Sequence, residues 1–256
     1  MGKWLARTSF SGAFSFAIVT WTLLLICGWL AATVSGTAGF GGALLLLPIL
    51  TIAIGVKASV PILSVAQLLG NLSRAGFGWC EIRWRPALVF SAGAVPACIV
   101  GSRLFVDLPS GTLLRVIGVF LLVVVVLRHT PLGQRKLSEA LLAPAGAMVG
   151  FLSSVAGSAG PLGAAAFLGL RLPAGAYVAS EAVTAVLMHL TKCIVYGRYA
   201  ALSGGDLLRG LALGSSLVLG SWTGRRLIRR LPEKGFALLV EVLLAVSAIS
   251  LIGAGR

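Results

Sequence analysis

Eight apolar runs, each long enough or nearly long enough to cross a lipid bilayer, dominate the chain. They cover residues 13–35, 59–79, 86–106, 112–128, 139–157, 174–197, 205–224 and 235–253. A transmembrane helix needs about 20 mostly apolar residues. Hydrophobic residues make up 58% of the chain and charged residues only 11%, which is far from the balance of a soluble domain. The sequence therefore predicts an all-α polytopic membrane protein.

Two shorter apolar pieces, 43–55 and 162–170, each follow a glycine-rich break. The first break runs from Ser35 to Ala43 and the second from Ala156 to Pro161. Inside a bilayer, irregular backbone survives only where protein covers it or where it lines a cavity. Paired glycine and proline interruptions in two halves of a chain are typical of a transporter's binding site. We therefore expect each short piece to be a broken or re-entrant helix beside such a site.

The two halves of the chain read as homologous repeats, residues 1–134 and 135–256. An offset of 118 residues aligns Ala38-Gly39 with Ala156-Gly157, and it carries Asn71, Ser73 and Arg74 onto His189, Thr191 and Lys192. A slightly larger offset aligns Gly101 with Gly224. Each repeat then holds about four spanning helices and one short helix.

The orientation of the repeats depends on the short pieces. If each piece crosses the membrane, a half has five segments and the second half is inverted; if each only dips in, the halves are parallel. The five-segment scheme places eleven Lys and Arg residues on one side and eight on the other, so the positive-inside rule favours inverted repeats with both termini outward. Gly146, Gly150, Gly210 and Gly214 suit close helix packing.

Polar residues inside the apolar runs are few. Run 59–79 carries Gln67, Asn71, Ser73 and Arg74, and the equivalent run carries Glu181, Thr184, His189, Thr191 and Lys192. The cations Arg74 and Lys192 thus occupy equivalent positions. Charged groups within a membrane usually face the interior or a water-filled path, but both cations also lie near enough to a run's end to snorkel to the interface. Asn71 and His189 lie deeper.

This set of groups favours a small oxyanion as ligand. Arg74 offers a planar fork for two oxygens, and Lys192 offers a point charge. Helix N-termini at the breaks would add backbone N–H groups. The candidate substrate-binding residues are Gly39, Gly41, Gly42, Asn71, Arg74, Gly157, Ser158, Gly160, His189 and Lys192. The glycines would let the backbone approach a ligand. The alternative is that they allow two helices to cross closely, which accounts for a single glycine but less well for a cluster.

Glu181 and His189 are the candidate coupling residues, because a histidine near the midplane exchanges protons near neutral pH. The alternative is that His189 is a hydrogen-bonded packing group. Glu241, in the last apolar run, has no obvious partner in the sequence.

The net charge of +14 would suggest nucleic acid in a soluble chain. Here the basic residues lie mostly in short loops, where they set topology and attract anionic membrane lipid, so we expect no nucleic-acid partner. The four cysteines form no C-x-x-C pair, and we expect no metal site and no cofactor. A homodimer would suit a symmetric membrane protein, although nothing in the sequence requires one.

The breaks carry a family resemblance. The stretch from Ala38 to Pro48 and its echo from Gly157 to Leu162 resemble the sulfite exporter TauE/SafE family, as do the Lys192-x-x-x-Tyr196 pair and the Gly101 and Gly224 turns. The resemblance covers nearly the whole chain and implies transport of sulfite, sulfonates such as sulfoacetate, or other small organosulfur anions across a bacterial inner membrane. Ser158 and Ala159 depart from the family's usual glycine triplet.

Because the chain has no Walker motif, the sequence favours a secondary transporter with alternating access over a nucleotide-driven pump. A channel would require a continuous polar lining, which the long apolar stretches do not provide. An intramembrane enzyme would need Ser158 as a nucleophile beside His189. However, the local sequence is not a G-x-S-x-G elbow, so we expect no enzymatic activity.

Overall fold

The computed structural model describes residues 18–33, 42–128, 138–227, 249 and 252–253. Within these ranges the chain is helical and contains no strand. The helices are α1 (Ile18–Thr33), α2 (Ala43–Ile54), α3 (Val56–Phe77), α4 (Trp84–Asp107), α5 (Ser110–Arg128), α6 (Leu142–Val155), α7 (Gly160–Leu168), α8 (Ala174–Arg198) and α9 (Gly204–Leu227). Two 3-10 turns, Trp79–Glu81 and Glu139–Leu141, precede α4 and α6.

The predicted helical class is confirmed for these ranges, and each helix falls on a predicted apolar run or short piece. The short helices α2 and α7 have 12 and 9 residues, so they are about 18 and 14 Å long at 1.5 Å per residue. Both are shorter than a bilayer's hydrocarbon core of about 30 Å. Among the described helices, α4 and α8 are long and apolar enough to cross a membrane. The run 235–253, with Glu241, falls almost wholly outside the described residues.

Glycines bring helix backbones into direct contact. A side chain at Gly146 would collide with the backbone carbonyl of Phe90, and one at Gly150 would collide with that of Ala94. These contacts press α6 against α4. At Gly214, an added Cβ would lie 2.6 Å from the side chain of Leu69 and 3.2 Å from the Cα of Ala66, so α9 also packs closely on α3. The close packing predicted for these glycines is therefore confirmed.

The same contacts give the relative directions of the helices. Residue numbers rise together along α4 and α6, so these helices are parallel. The same holds for α1 and α9, where Gly28 meets Ser216 and Gly224 meets Thr33. It also holds for α3 and α9, since Gly210 meets Val65 and Gly70 meets Leu217.

The α3 and α4 helices are antiparallel. At the start of α3, Lys57 Nζ donates hydrogen bonds to the carbonyls of Phe105 (3.0 Å) and Val106 (2.9 Å) at the end of α4. The α8 helix runs with α4, because Arg83 N donates to Ser180 Oγ at one end while the rings of Phe105 and Tyr196 pack at the other. Consequently α1, α3 and α9 point one way, and α4, α6 and α8 point the other way.

Polar side chains collect inside this bundle and large apolar ones cover its outside. Gln67, Asn71, Arg74, Glu181, His189 and Lys192 are all buried. Ile52, Ile194 and Leu208 are among the most exposed large side chains. An apolar exterior around a buried polar centre is what a bilayer requires, because lipid offers no partners to polar groups.

Candidate functional site

The second glycine break separates α6 from α7, and its shape depends on Gly157. This residue has φ +81°, in the left-handed region, where L side chains are strained. A Cβ added at Gly157 would lie 3.1 Å from both terminal methyls of Leu47 in α2 and 3.1 Å from Val60 in α3. The backbone conformation therefore favours glycine at this position, and the packing leaves room for a side chain only if Leu47 and Val60 shift.

Two side chains of α8 hold the broken end of α6. Lys192 Nζ donates to the Ser153 carbonyl (3.2 Å), to Ser153 Oγ (3.2 Å) and to the Gly157 carbonyl (3.1 Å). One turn later, the Tyr196 hydroxyl donates to the Ser154 carbonyl at 2.9 Å. The last carbonyls of a helix have no partner within the helix, and a cation there also suits the helix dipole. Lys192 and Tyr196 therefore form a side-chain cap on the break.

A cavity lies beside this break, between α3, α6, α7 and α8, and contains about 330 Å³ of atom-free space, part of it open to the exterior. It brings together six predicted residues: Asn71, Arg74, Ser158, Gly160, Glu181 and His189. Gln67, Val149, Ser153, Ala159, Gly163, Ala185 and Met188 complete the lining. Gly157 and Lys192 lie next to the cavity, since both are bonded at the cap that includes Ser153.

The first break borders a second cavity on the other side of α3. It contains about 230 Å³ of atom-free space and is lined by Ala32, Gly42, Gln67, Gly70, Arg74, Leu217 and Ser221. Gly42 is thus placed near Arg74 but outside the first cavity. Gly39 and Gly41 lie outside the described residues. Gln67 and Arg74 line both cavities, so these two side chains lie where the cavities adjoin.

Arg74 is the charged centre of the first cavity. Its Nη2 lies 3.7 Å from Glu181 Oε2 and donates a hydrogen bond to Asn71 Oδ1. The Arg74 side chain is only 7% exposed, so it faces the protein interior and does not snorkel to the membrane interface. Lys192 is also fully buried.

Three buried side-chain atoms at the cavity have no hydrogen-bond partner among the described residues: Gln67 Nε2, His189 Nδ1 and Glu181 Oε2. The last of these is an acceptor and lies 3.7 Å from Arg74 Nη2. Buried polar atoms nearly always have a partner. In addition, the cavity is lined by Gly160, where α7 begins, and a helix N-terminus favours negative charge. The arrangement therefore suits a ligand that carries negative charge and hydrogen-bond acceptors.

The sequence did not place all of these residues at the site. Gln67 was recognisable as a polar residue one turn before Asn71, but it was not among the candidates. Ser153 and Gly163 gave no signal, because a serine or glycine in an apolar run usually serves packing. Tyr196 was marked only by its spacing from Lys192.

Comparison with known proteins agrees with this description. The family model described as Sulfite exporter TauE/SafE matches residues 24–251, nearly the whole chain. No curated protein matches the chain, and no solved structure matches it. The resemblance carried by the two breaks is thereby confirmed, and a membrane location and a transport role follow from the family. The chain belongs to the sulfite exporter TauE/SafE family of membrane transporters.

Proposed function

We propose that this protein is a secondary transporter that moves sulfite or a small organosulfur anion across the bacterial inner membrane as a multi-pass protein. The observation that carries the proposal is the buried Arg74 in a cavity at the N-terminus of the broken helix α7. A charged group inside a membrane protein usually marks a substrate pathway. The family match supports sulfur chemistry, whereas the residues themselves support only a small anion.

In this proposal Arg74 is the main anion-binding group. Asn71 holds the guanidinium from the same helix, and the start of α7 at Gly160 adds positive potential from the opposite wall. Ser158 and His189 provide polar contacts within the cavity. Lys192 has a different role, because its ammonium is bonded to three oxygens at the break. It positions the break and, being next to the cavity, adds long-range positive charge.

We infer that Glu181 couples anion binding to protons. Its carboxylate lies beside Arg74 and so occupies the position of a counter-ion. A bound anion would compete with this carboxylate, and protonation of Glu181 would remove the competitor. The charged or titratable groups around Glu181 are Arg74 on α3 and Tyr177 and His189 on α8. Proton and anion would therefore bind together, as in a symporter.

Alternating access would come from inverted repeats. In support, each pair of helices related by the sequence offset runs in opposite directions: α1 and α6, α3 and α8, α4 and α9. The contacts repeat as well. Gly101 packs on the carbonyl of Phe151, and its counterpart Gly224 packs on the carbonyl of Thr33. Phe151 and Thr33 differ by the same 118 residues that relate His189 to Asn71. Gly42 of the first break and Ser158 of the second each line a cavity together with Gln67, near the middle of α3, where rocking of one repeat against the other would switch access.

The two alternative functions, an intramembrane enzyme and an anion channel, receive no specific support. An enzyme with Ser158 as nucleophile would need a base within hydrogen-bond reach. His189 lines the same cavity, but no hydrogen bond joins it to Ser158 within the described part of the chain. A channel would need a continuous polar path across the membrane, whereas the two described cavities are separate and small, with about 330 and 230 Å³ of atom-free space.

The test is uptake of labelled sulfite and sulfoacetate into proteoliposomes, with and without an imposed pH gradient. We expect saturable uptake that the gradient changes, and a loss of at least about tenfold in Arg74→Gln, because one charge-assisted hydrogen bond contributes about 1.5–3 kcal/mol. The matched control is Arg103→Gln, which changes a half-exposed arginine paired with Asp107. Wild-type uptake by Arg74→Gln, or conductance steps of a channel, would contradict the proposal.

A further inference from the structure

The position of the Arg74 guanidinium fixes the orientation of two side chains earlier on α3, Asn71 and Gln67. A guanidinium has only donors, so Asn71 must turn its acceptor, Oδ1, toward Arg74. The Asn71 amide nitrogen then points to the preceding turn, where it donates to the Gln67 carbonyl at 2.8 Å and to Gln67 Oε1 at 3.5 Å. Gln67 therefore presents its oxygen to Asn71, which leaves the Gln67 NH₂ group pointing elsewhere.

That NH₂ group is an unused donor at the junction of the two cavities. Gln67 is 3% exposed, and Nε2 has no hydrogen-bond partner among the described residues. Gln67 lines both the cavity at the second break and the cavity at Gly42. The residue 118 positions later is Ala185, which also lines the first cavity. Only one of the two equivalent positions thus provides a donor.

We propose that Gln67 Nε2 donates a hydrogen bond to an oxygen of the bound anion and so contributes to selecting oxyanions; this inference rests on the proposed function. Leaving a donor buried without an acceptor is unfavourable, and an oxyanion has acceptor oxygens on every side. Arg74, two turns further along the same helix, supplies the charge, and Gln67 supplies a neutral donor nearer the middle of α3. The anion would pass between the cavities beside both groups.

The stability of the empty protein distinguishes a ligand-binding role of Gln67 from a packing role. Asn71 Nδ2 keeps the Gln67 backbone carbonyl as acceptor when the side chain changes. Replacing Gln67 by leucine, which has a similar volume, therefore removes the unused donor and gives up only the long 3.5 Å contact from Asn71 Nδ2 to Gln67 Oε1. A donor kept for the ligand predicts that the empty protein melts at the same or a higher temperature in Gln67→Leu. A packing role predicts a lower melting temperature.

The experiment measures sulfite and sulfoacetate binding to the full-length protein in detergent by titration calorimetry, together with its melting temperature. We expect Gln67→Leu to weaken binding about ten- to a hundredfold without lowering the melting temperature. Gln67→Glu should weaken binding at least as much, because an ionised carboxylate cannot donate and repels the anion. The control is Thr51→Val, which removes a different buried polar group, a hydroxyl on α2 that has no partner in the described ranges and lines neither cavity.

The outcomes separate this inference from the proposed function. If the wild type and Gln67→Leu bind both anions equally well, Gln67 does not contact the ligand and only this inference is overturned. If Gln67→Leu melts at a lower temperature than Thr51→Val and its affinity is unchanged, Gln67 is a packing residue. If the wild type binds neither anion, the proposed function fails and the inference fails with it.

Discussion

Gly157→Ala is the substitution whose effect follows most directly from the geometry of the second break. The backbone at this position has φ +81°, and an L residue in that region is destabilised by about 1–2 kcal/mol. The new methyl would lie 3.1 Å from Leu47 and from Val60, and overpacking of this kind typically adds about 1–3 kcal/mol. The total is about 2–5 kcal/mol.

The assay is thermal unfolding of the purified protein in detergent. For a chain of this size, 1 kcal/mol corresponds to roughly 2–4 °C, so we expect the melting temperature to fall by at least about 4 °C. The control is Gly197→Ala. Gly197 lies in α8, and a Cβ there would meet no atom within 4 Å. Since alanine favours a helix over glycine by about 1 kcal/mol, this variant should melt at the same or a slightly higher temperature.

A double substitution separates the two contributions. Leu47→Ala removes two of the three methyls that meet the new Cβ and leaves the one on Val60, so adding Gly157→Ala to that background should destabilise the protein less than in the wild type, by the backbone contribution of about 1–2 kcal/mol plus the remaining contact with Val60. Equal melting temperatures for Gly157→Ala and Gly197→Ala would refute the reasoning about the break. An unchanged effect of Gly157→Ala in the Leu47→Ala background would refute the packing part alone.

Three further substitutions test the cap, the helix contact and the counter-ion. Tyr196→Phe should destabilise the protein by about 1 kcal/mol, because one buried carbonyl loses its donor, and Lys192→Met should destabilise it more. Denaturation midpoints measure both effects. If Lys192→Met lowered the affinity for the anion without lowering stability, that result would contradict a capping role for Lys192. Gly150→Val should prevent folding, because α4 leaves no space for a side chain; a monodisperse, wild-type elution profile would show that this contact is wrong. Glu181→Gln should bind the anion more tightly, since the carboxylate beside Arg74 is removed. Uptake by this variant should no longer respond to a pH gradient. Unchanged affinity and an unchanged response to the gradient would contradict the counter-ion role.

Much of the fold was predictable because a bilayer permits few solutions. An apolar run of about 20 residues has to be helical, so α4 and α8 were predicted within a few residues of their observed ends. The short helices were also predictable, because a helix of 12 or 9 apolar residues is too short to cross the hydrocarbon core by itself. The directions of the helices were addressed only by the count of Lys and Arg, which favours inverted repeats; which helices pack together was not predictable, since it depends on contacts made by distant glycines such as Gly101 and Gly224.

At the site, the residue types were predictable but their partners were not. Arg74 and Lys192 stand at equivalent sequence positions and looked alike. In the structure Arg74 faces a carboxylate across a cavity, while Lys192 is enclosed by main-chain oxygens. The difference depends on Glu181 and Ser153, which come from other parts of the chain, so no local pattern reveals it. Gln67 was overlooked because a lone amide becomes informative only when its orientation is known.

The way in which the helices pair has a consequence for biogenesis. The most extensive contacts of α3 and α4 are with α6, α8 and α9, and α1 packs on α9. Within the described residues, α1, α3 and α4 thus find their main partners in the second half of the chain, whereas α2 and α7 pack on helices of their own half. During synthesis, the glycine-lined surfaces of α1, α3 and α4 enter the membrane before the helices that cover them have been translated. We therefore expect that the two halves of the sequence do not fold independently, and that a split gene gives a stable product only when both fragments are expressed in the same cell.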